Sequence, residues 1–506
     1  MAKKISEMSV GEDGAVDHHG DRLPTLSKSA SKLKYERLLE IPPPNFDSEI
    51  PGSPFYSYFA YFMMRRTMTF QYRTIDSSGL ENIPDDSGSL CCSWHTNGIL
   101  DPLSIMLYHP KWFVIGGRHD LVYRPILGFW GRKLALQPVI RQAELIRGGC
   151  TKEDAQSLNG RSLLNLANGI AHGWVCALFP EGTSHNESHM IRLRSGPMRT
   201  ILAAGALAKG QGLKIPSIQP VGLHFRVRHH WRTDVWVEFG KPINIDAEGI
   251  GDEMVTTLMN GEWKEPEADS VNKLRETLKD SLSYYLPTAP SWKIYRAWKL
   301  LGHIESSTTG NKPTCWKEEV LAARIVRERL MIESEPERES QASEVAEILD
   351  AVGLDGRDID TDGKFRRGSP IKGAANVIWM LSSLCLLPIF LLSCGLQAFF
   401  GFTLGNKTDE GLDARSNYQF LFGLLGTLII WPIIALAVIS ILWIIDISWI
   451  NSVFSRSYSD SIFGIIMYFI IGILSLFLIF WVVAKITLRG WDALTDSRRA
   501  FARNKL

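Results

Sequence analysis

Three long apolar stretches near the C-terminus, at about 374–402, 420–445 and 462–484, constrain this 506-residue chain more than any other feature in it. Each passes the length of roughly 18 largely uncharged residues that a membrane-spanning helix requires. A buried helix of a soluble core rarely runs past about 20 residues without a charge, so the region reads as embedded in a bilayer. Trp379, Trp431, Trp443, Trp449 and Trp481 lie within or beside these stretches, several at positions suited to interfacial depth. Lys364, Arg366, Arg367 and Lys372 precede the first stretch, and Lys485, Arg489, Arg498, Arg499, Arg503 and Lys505 follow the last. The short loops between hold only Lys407, Arg415 and Arg456. Both basic flanks therefore favour the cytoplasm, yet three full crossings would part them. Either one stretch is re-entrant or one flank breaks the rule. Residues 1–40 are polar and charged and lack an apolar centre of about 7–15 residues, so no cleavable signal peptide is expected.

Charge narrows the partners. Lys+Arg 55 against Asp+Glu 54 leaves a net charge of +1, which gives no global field for nucleic acid, and none is expected as a partner. An anionic ligand must meet a local cluster of basic side chains. The 7 cysteines are odd in number and show no CxxC spacing, which argues against a disulfide framework or zinc ribbon and suits a reducing compartment.

Along the chain, residues 1–50 read as a disordered tail closing on IPPPNF, and residues 51–74 as an aromatic interfacial helix interrupted by Arg65 and Arg66. Residues 75–265 alternate short apolar runs with helical patterns, the mark of an α/β domain with a mixed sheet flanked by helices. Strands are expected at 90–94, 112–117, 174–179, 215–225 and 234–240, and helices at 99–108, 154–171 and 196–208. Residues 266–373 form a charged helical arm and linker, solvated or facing a partner. Transmembrane helices at 374–484 and a basic tail at 485–506 complete the expected division.

The strand-like LCCSW runs directly into HTNGILDP, which puts His95 at a strand's carboxyl end and Asp101 about one turn later. That is a general base with an orienting carboxylate. A second strand, WVCALF, runs into PEGTSH and brings in Glu181 and Gly182. Other constellations carry less. His185 and His189 are spaced for a metal on a helix face but lack a third ligand, and no metal is expected. The segment 358–369 copies the first half of a calcium loop, then places Ser369 where the bidentate Glu belongs, and reads as an acidic linker. No GxSxG or Walker motif occurs. Asn186 and Asn406 head glycosylation sequons, of which a cytoplasmic Asn186 would stay unmodified.

Four blocks, HTNGILD, LQPVIR, FPEGTSH and IQPVG, occur in the order found in the membrane-bound, PlsC-like glycerolipid acyltransferases, which this chain resembles over about residues 75–245. The common box has four residues between His and Asp, whereas here residues 96–100 make five. The five-residue form, with Asn two after His and Pro after Asp, resembles the branch of fungal glycerol-3-phosphate and dihydroxyacetone-phosphate acyltransferases. The following SHNESHMIRLRSGPMRTILAA and GKPI look like that branch too. The resemblance implies a glycerol-3-phosphate O-acyltransferase that uses acyl-CoA as co-substrate, with no cofactor, and acylates the sn-1 hydroxyl to give lysophosphatidate. It also implies a multi-pass protein of the endoplasmic reticulum membrane whose catalytic domain faces the cytoplasm. Dihydroxyacetone phosphate and lysophosphatidate remain open as acceptors, and a non-catalytic membrane scaffold is the competing class.

Acyl transfer from a thioester to an alcohol needs a base for the hydroxyl, a cation for the acceptor's phosphate and donors for the developing oxyanion. His95 suits the base, with Asp101 fixing its tautomer. Arg141 is placed for bidentate phosphate contact, with Arg192 and Arg194 as further phosphate candidates or as plain surface charge. Glu181 is available for the acceptor's second hydroxyl or for an arginine, and Gly182, Thr183 and Asn97 join the substrate-binding candidates. The extra residue in the box would rotate Asp101 about 100° further round a regular helix. Asn97 and Gly98 are expected to absorb it through a local irregularity, because both tolerate positive φ better than most residues.

Overall fold

The computed structural model describes residues 34–141, 151–408, 412, 414–445 and 462–505. Its strands are β1 (Tyr72–Ser78), β2 (Ser89–Cys92), β3 (Gly116–Arg118), β4 (Gln137–Val139), β5 (Val175–Leu178), β6 (Ser217–Phe225), β7 (Thr233–Phe239) and β8 (Ile243–Asn244). The larger sheet runs in the order β1-β7-β6-β2-β5, with β8 pairing β6. β2 is buried along its whole length and pairs in parallel with both β5 and β6, while β7 turns back antiparallel to β6. The sheet is therefore mixed, as expected. Strands covered on both faces read as continuous apolar runs, which is why LCCSW and WVCALF stand out in the sequence. β1 and β4 do not, because YRTIDSS and QPV are polar or short. Of the strand expected at 112–117 only the end pairs, as β3, with Phe113 making an isolated bridge to Val175.

Helices α1 (Tyr35–Leu39), α2 (Pro54–Gln71), α3 (Leu100–Tyr108), α4 (Pro125–Lys133), α5 (Lys152–Ala171), α6 (Gly196–Gly210) and α7 (Asp252–Met259) surround the sheet. α6 is rich in alanine and glycine, so it approaches the sheet closely and buries everything from Met198 to Ala208 except Arg199. Residues 34–50 belong to this domain rather than to a tail. Leu38, Ile41 and Ile50 are buried, Arg161 donates to the carbonyls of Leu39 and Ile41, and Phe46 stacks on Trp174.

The arm comprises α8 (Ala268–Tyr285), α9 (Trp292–Thr308), α10 (Trp316–Ile332) and α11 (Pro336–Ala351). It is docked on the sheet rather than solvated. α8 buries Val271, Leu274, Leu278 and Leu282, one stripe at helical spacing. From α10, Glu319 takes both terminal nitrogens of Arg226, and Arg324 grips Glu238 on β7. Burial opposes ionisation of Glu238, but His224 and Arg324 overcome it and hold the carboxyl at about 2.

Among the described residues three helices are long and apolar enough to cross a membrane: α13 (Leu387–Lys407), α14 (Ala414–Ile445) and α15 (Ile462–Lys505). The first apolar stretch, expected as one span, is broken at Leu386 into α12 (Pro370–Cys385) and α13. Pro388, in the first turn of α13, cannot donate its backbone N–H, which favours a fresh helix start. α12 lies along the far part of α15, where Ser383 donates to the Thr487 carbonyl, and Phe402 near the end of α13 meets Trp231 of the α/β domain. The α12–α13 unit thus begins and ends on the side of that domain. With that unit re-entrant and α14 and α15 as the crossing pair, both basic flanks would share one side.

α15 has 44 residues, about 66 Å of helix at 1.5 Å per residue, and so extends well beyond a hydrocarbon core of about 30 Å. Its extension clamps the soluble parts. Asp496 receives two bonds from Arg73, Asp492 two from Arg232, and Arg499 and Arg503 reach Asp355 and Asp358. The acidic segment 355–358 is therefore a docking point for the last helix and not a bare linker. In a cysteine-free background, single cysteines at Ile445 and Ile462 should react with an impermeant maleimide from the side opposite to cysteines at Lys372 and Lys505; labelling of all four from one side would refute the crossing pair. Asp492→Ala strands a buried Arg232 and should lower stability by about 3 kcal/mol or more, read as a drop in the melting temperature of the detergent-solubilised protein.

Candidate functional site

The register of the parallel strands builds the site. Cys92 of β2 pairs with Leu178 of β5, so His95 and Glu181 both lie three residues beyond that pair at the carboxyl edge. This is the edge at which α/β sheets hold their ligands. The bridge from Phe113 to Val175 is parallel, as is the pairing of β3 with β4, which brings Arg141, two residues past Val139, to the same edge.

Asp101 is fully buried in the first turn of α3, and its Oδ2 lies 2.8 Å from His95 Nδ1. The same oxygen accepts the backbone N–H groups of Thr96 at 2.9 Å and Asn97 at 2.8 Å. A carboxylate offers only acceptors, so Nδ1 carries the proton and Nε2 is left as the acceptor. The imidazole side chain is 21% exposed against 0% for Asp101, so Nε2 is the basic atom a substrate can reach. Phe179 stacks on the ring at 4.3 Å between centroids and fixes its plane. The irregularity expected in the box is present at Gly98, whose φ is 55°, and α3 proper begins at Leu100. Asp101 thereby comes back beneath the imidazole despite the additional residue.

Glu181 is 1% exposed. Its Oε2 accepts the His95 backbone N–H at 2.7 Å and lies 2.9 Å from His185 Nε2, while Oε1 accepts the Ile191 N–H at 2.9 Å. It is thus built into the protein, where its oxygens hold the His95 backbone to the next loop instead of reaching out to a hydroxyl or an arginine. Gly182, with φ at 73°, turns the chain so that Arg194 passes close by: its Cγ lies 3.3 Å from where a Gly182 Cβ would stand. Arg194 and Arg141 are half-buried and Arg192 is exposed. Thr183 is half-buried with its hydroxyl toward the Ser184 carbonyl.

Asn97 is not available to substrate. It is fully buried, its Nδ2 donates to the Arg228 carbonyl at 3.1 Å, and its Oδ1 accepts the Ser416 hydroxyl at 2.5 Å. Arg228 in turn donates through Nη1 to the carbonyls of Thr96 at 2.8 Å and His185 at 2.7 Å. His185, considered above as a metal ligand, faces Glu181, and among the described residues no group of three metal-ligating side chains occurs. Arg228 lies on the β6–β7 hairpin, between two strands expected from the sequence, so its place at the carboxyl edge was within reach of sequence reasoning. Ser416, 319 residues from Asn97, was not. Burial first, then His230, Arg228 and Arg415, pushes His229 on the same hairpin down to about 3, so this ring stays neutral near pH 7.

Residues 74–223, which enclose all four blocks, match the Acyltransferase family model. This is an acyltransferase-type domain. Two yeast proteins (Saccharomyces cerevisiae) are similar to it in sequence. Glycerol-3-phosphate O-acyltransferase 2 is 27% identical over 150 residues, 29% of this chain and 18% of that protein. Glycerol-3-phosphate O-acyltransferase 1 is 29% identical over 124 residues, 24% of this chain and 15% of that protein. The matched stretches thus span less than a fifth of either relative's length. The crystal structure of the 1-acyl-sn-glycerophosphate (LPA) acyltransferase PlsC from Thermotoga maritima aligns with a TM-score of 0.28 at 14% identity, over 44% of this chain and 81% of that one.

The acyltransferase domain tests its own box at Gly98. An added Cβ would enter the left-handed region and stand 2.1 Å from Asn417 Nδ2. Gly98→Ala should cut turnover severalfold, and Gly98→Val should approach the loss caused by Asp101→Asn. Equal activity of Gly98→Val and the unaltered protein would dissociate the turn from the alignment of His95.

Proposed function

We propose that the protein transfers a fatty acyl group from acyl-CoA to the sn-1 hydroxyl of glycerol 3-phosphate, giving lysophosphatidate. The observation that carries this reading is the His95–Asp101 pair at the carboxyl edge, with Nε2 reachable and Nδ1 held. The acceptor hydroxyl gives its proton to Nε2 as its oxygen attacks the thioester carbonyl carbon. Collapse of the tetrahedral species breaks the carbon–sulfur bond, and the imidazolium returns the proton to the leaving thiolate of coenzyme A. Asp101 stabilises the imidazolium between the two steps. Arg141 and Arg194, with Arg192, are the cations for the acceptor's phosphate. The balance is complete with acyl-CoA as co-substrate.

The choice of glycerol 3-phosphate over dihydroxyacetone phosphate or lysophosphatidate is supported by the two yeast relatives. Basic flanks on the side of the catalytic domain support a domain facing the cytoplasm, where acyl-CoA is available, and we assign the endoplasmic reticulum membrane. Purified membranes given one labelled acyl-CoA and each of the three acceptors should label glycerol 3-phosphate fastest; preference for either other acceptor would reassign the substrate. His95→Ala should lose about 10²–10⁴ of the rate, and activity within about twofold of the unaltered protein would remove the mechanism. Arg141→Lys replaces a planar fork by a point charge and should raise KM for the acceptor more than for acyl-CoA; a larger change for acyl-CoA would move Arg141 to the donor site.

A further inference from the structure

The catalytic loop is held from an unexpected direction. α14, an apolar helix that lies entirely outside the matched family region, starts against the His-Asp box. Its Ser416 is fully buried and donates to Asn97 Oδ1, and its Asn417 fills the space above Gly98 that any side chain there would need. The orientation of the Asn97 amide follows from its partners. The Arg228 carbonyl can only accept, so Nδ2 must face it and Oδ1 must face the Ser416 hydroxyl. The backbone N–H of this same Asn97, with that of Thr96, grips Asp101 Oδ2. A continuous path of short hydrogen bonds therefore leads from Ser416 through Asn97 to Asp101 and on to His95.

We propose that Ser416 is a positioning residue for the His95–Asp101 pair, so that the start of membrane helix α14 forms one wall of the catalytic loop. The proposal rests on the reading of His95 as general base. Removing the Ser416 hydroxyl leaves Asn97 Oδ1 buried without its donor, and the amide must shift to recover one. Any shift of Asn97 moves one of the N–H groups that hold Asp101. The ring of His95 then loses its fixed acceptor, and Nε2 no longer points where the acceptor hydroxyl arrives. Binding of acyl-CoA and of the phosphate-bearing acceptor involves other groups, so their KM values stay near those of the unaltered protein.

The test compares Ser416→Ala, Ser416→Val and Ser416→Thr in the full chain, in native membranes. Threonine and valine have nearly the same shape and differ in the hydroxyl, so an effect of volume falls on both and an effect of the hydrogen bond on valine alone. Misplacement of reacting groups by about 1 Å costs up to about 10²-fold. The expected result is a fall in kcat on the order of 10- to 100-fold for Ala and Val, with both KM values within about threefold and Thr restored to within a few-fold. A fall in kcat with both KM values held, restored by the threonine hydroxyl, is a split that a general loss of structure would not give. Should the valine variant fail to accumulate, Ala against Thr decides. Ser416→Ala with kcat within twofold would overturn the proposal, as would Thr no better than Ala. His95→Ala measured alongside separates the two layers. If it stays active, the base assignment itself falls; if it is inactive while Ser416→Ala is unimpaired, only the role of Ser416 falls.

Discussion

A single carboxylate oxygen organises the site. Asp101 Oδ2 accepts from His95 Nδ1 and from the backbones of Thr96 and Asn97, three donors from three consecutive residues, all within 2.9 Å. In a buried setting such bonds are strong, and an oxygen that lost them would be costly to leave unpartnered. They require the chain to curl around the oxygen, and the left-handed Gly98 supplies that curl. Once the loop is wound this way, the imidazole has one orientation. The surrounding contacts preserve the winding: Glu181 fixes the His95 backbone, Arg228 the carbonyl of Thr96, and Phe179 the plane of the ring.

Buried ion pairs, beside the apolar stripe of α8, join the large pieces of the molecule. Arg226 serves Asp234 and Glu319, Arg324 serves Glu238, and Arg232 serves Asp492, each pair with both side chains less than 15% exposed. Such pairs add little net stability once desolvation is counted, but they tolerate no sliding, because a displaced partner leaves a bare charge in a dry place. Asp355 is half-buried, with its side chain 36% exposed, and is held by several cations. Burial works against its charge, yet Arg357, Arg499 and Arg226 together hold its carboxyl well below the usual carboxylate range. Lys299 in the same neighbourhood lies under burial and the charge of Arg226, which bring it down to about 8.

The parts of the site that could be read from the sequence are those whose chemistry and geometry lie close together along the chain. LCCSW and WVCALF are apolar enough to mark buried strands, and the residues following them, His95 and Glu181, had to meet once those strands paired in parallel. The five-residue spacing pointed to Gly98 because a regular helix would have turned Asp101 away. The roles of Glu181 and Asn97 were not legible, since a polar side chain near a catalytic box looks the same whether it faces a substrate or a backbone N–H. Residues 34–50 looked like a tail because their few apolar side chains gain meaning only beside Arg161 and Trp174. The break at Leu386 was hidden because hydropathy measures how apolar a stretch is and not where it turns. Asp358 passed for linker acidity, its partners lying some 140 residues away.

The unbroken course of α15 also sets a height. Asp492 and Asp496, which grip the catalytic domain, follow Lys485 by roughly 10–17 Å along the helix axis at 1.5 Å per residue. A core of about 30 Å within a bilayer of 40–45 Å leaves roughly 5–8 Å of headgroup layer on each face. With Lys485 at the edge of the hydrocarbon core and the helix upright, the clamp would fall just beyond the headgroups, and the rod would fix its height. The edge that carries His95 and Asp101 is thus tied, through one helix, to a fixed distance from the apolar part of the chain.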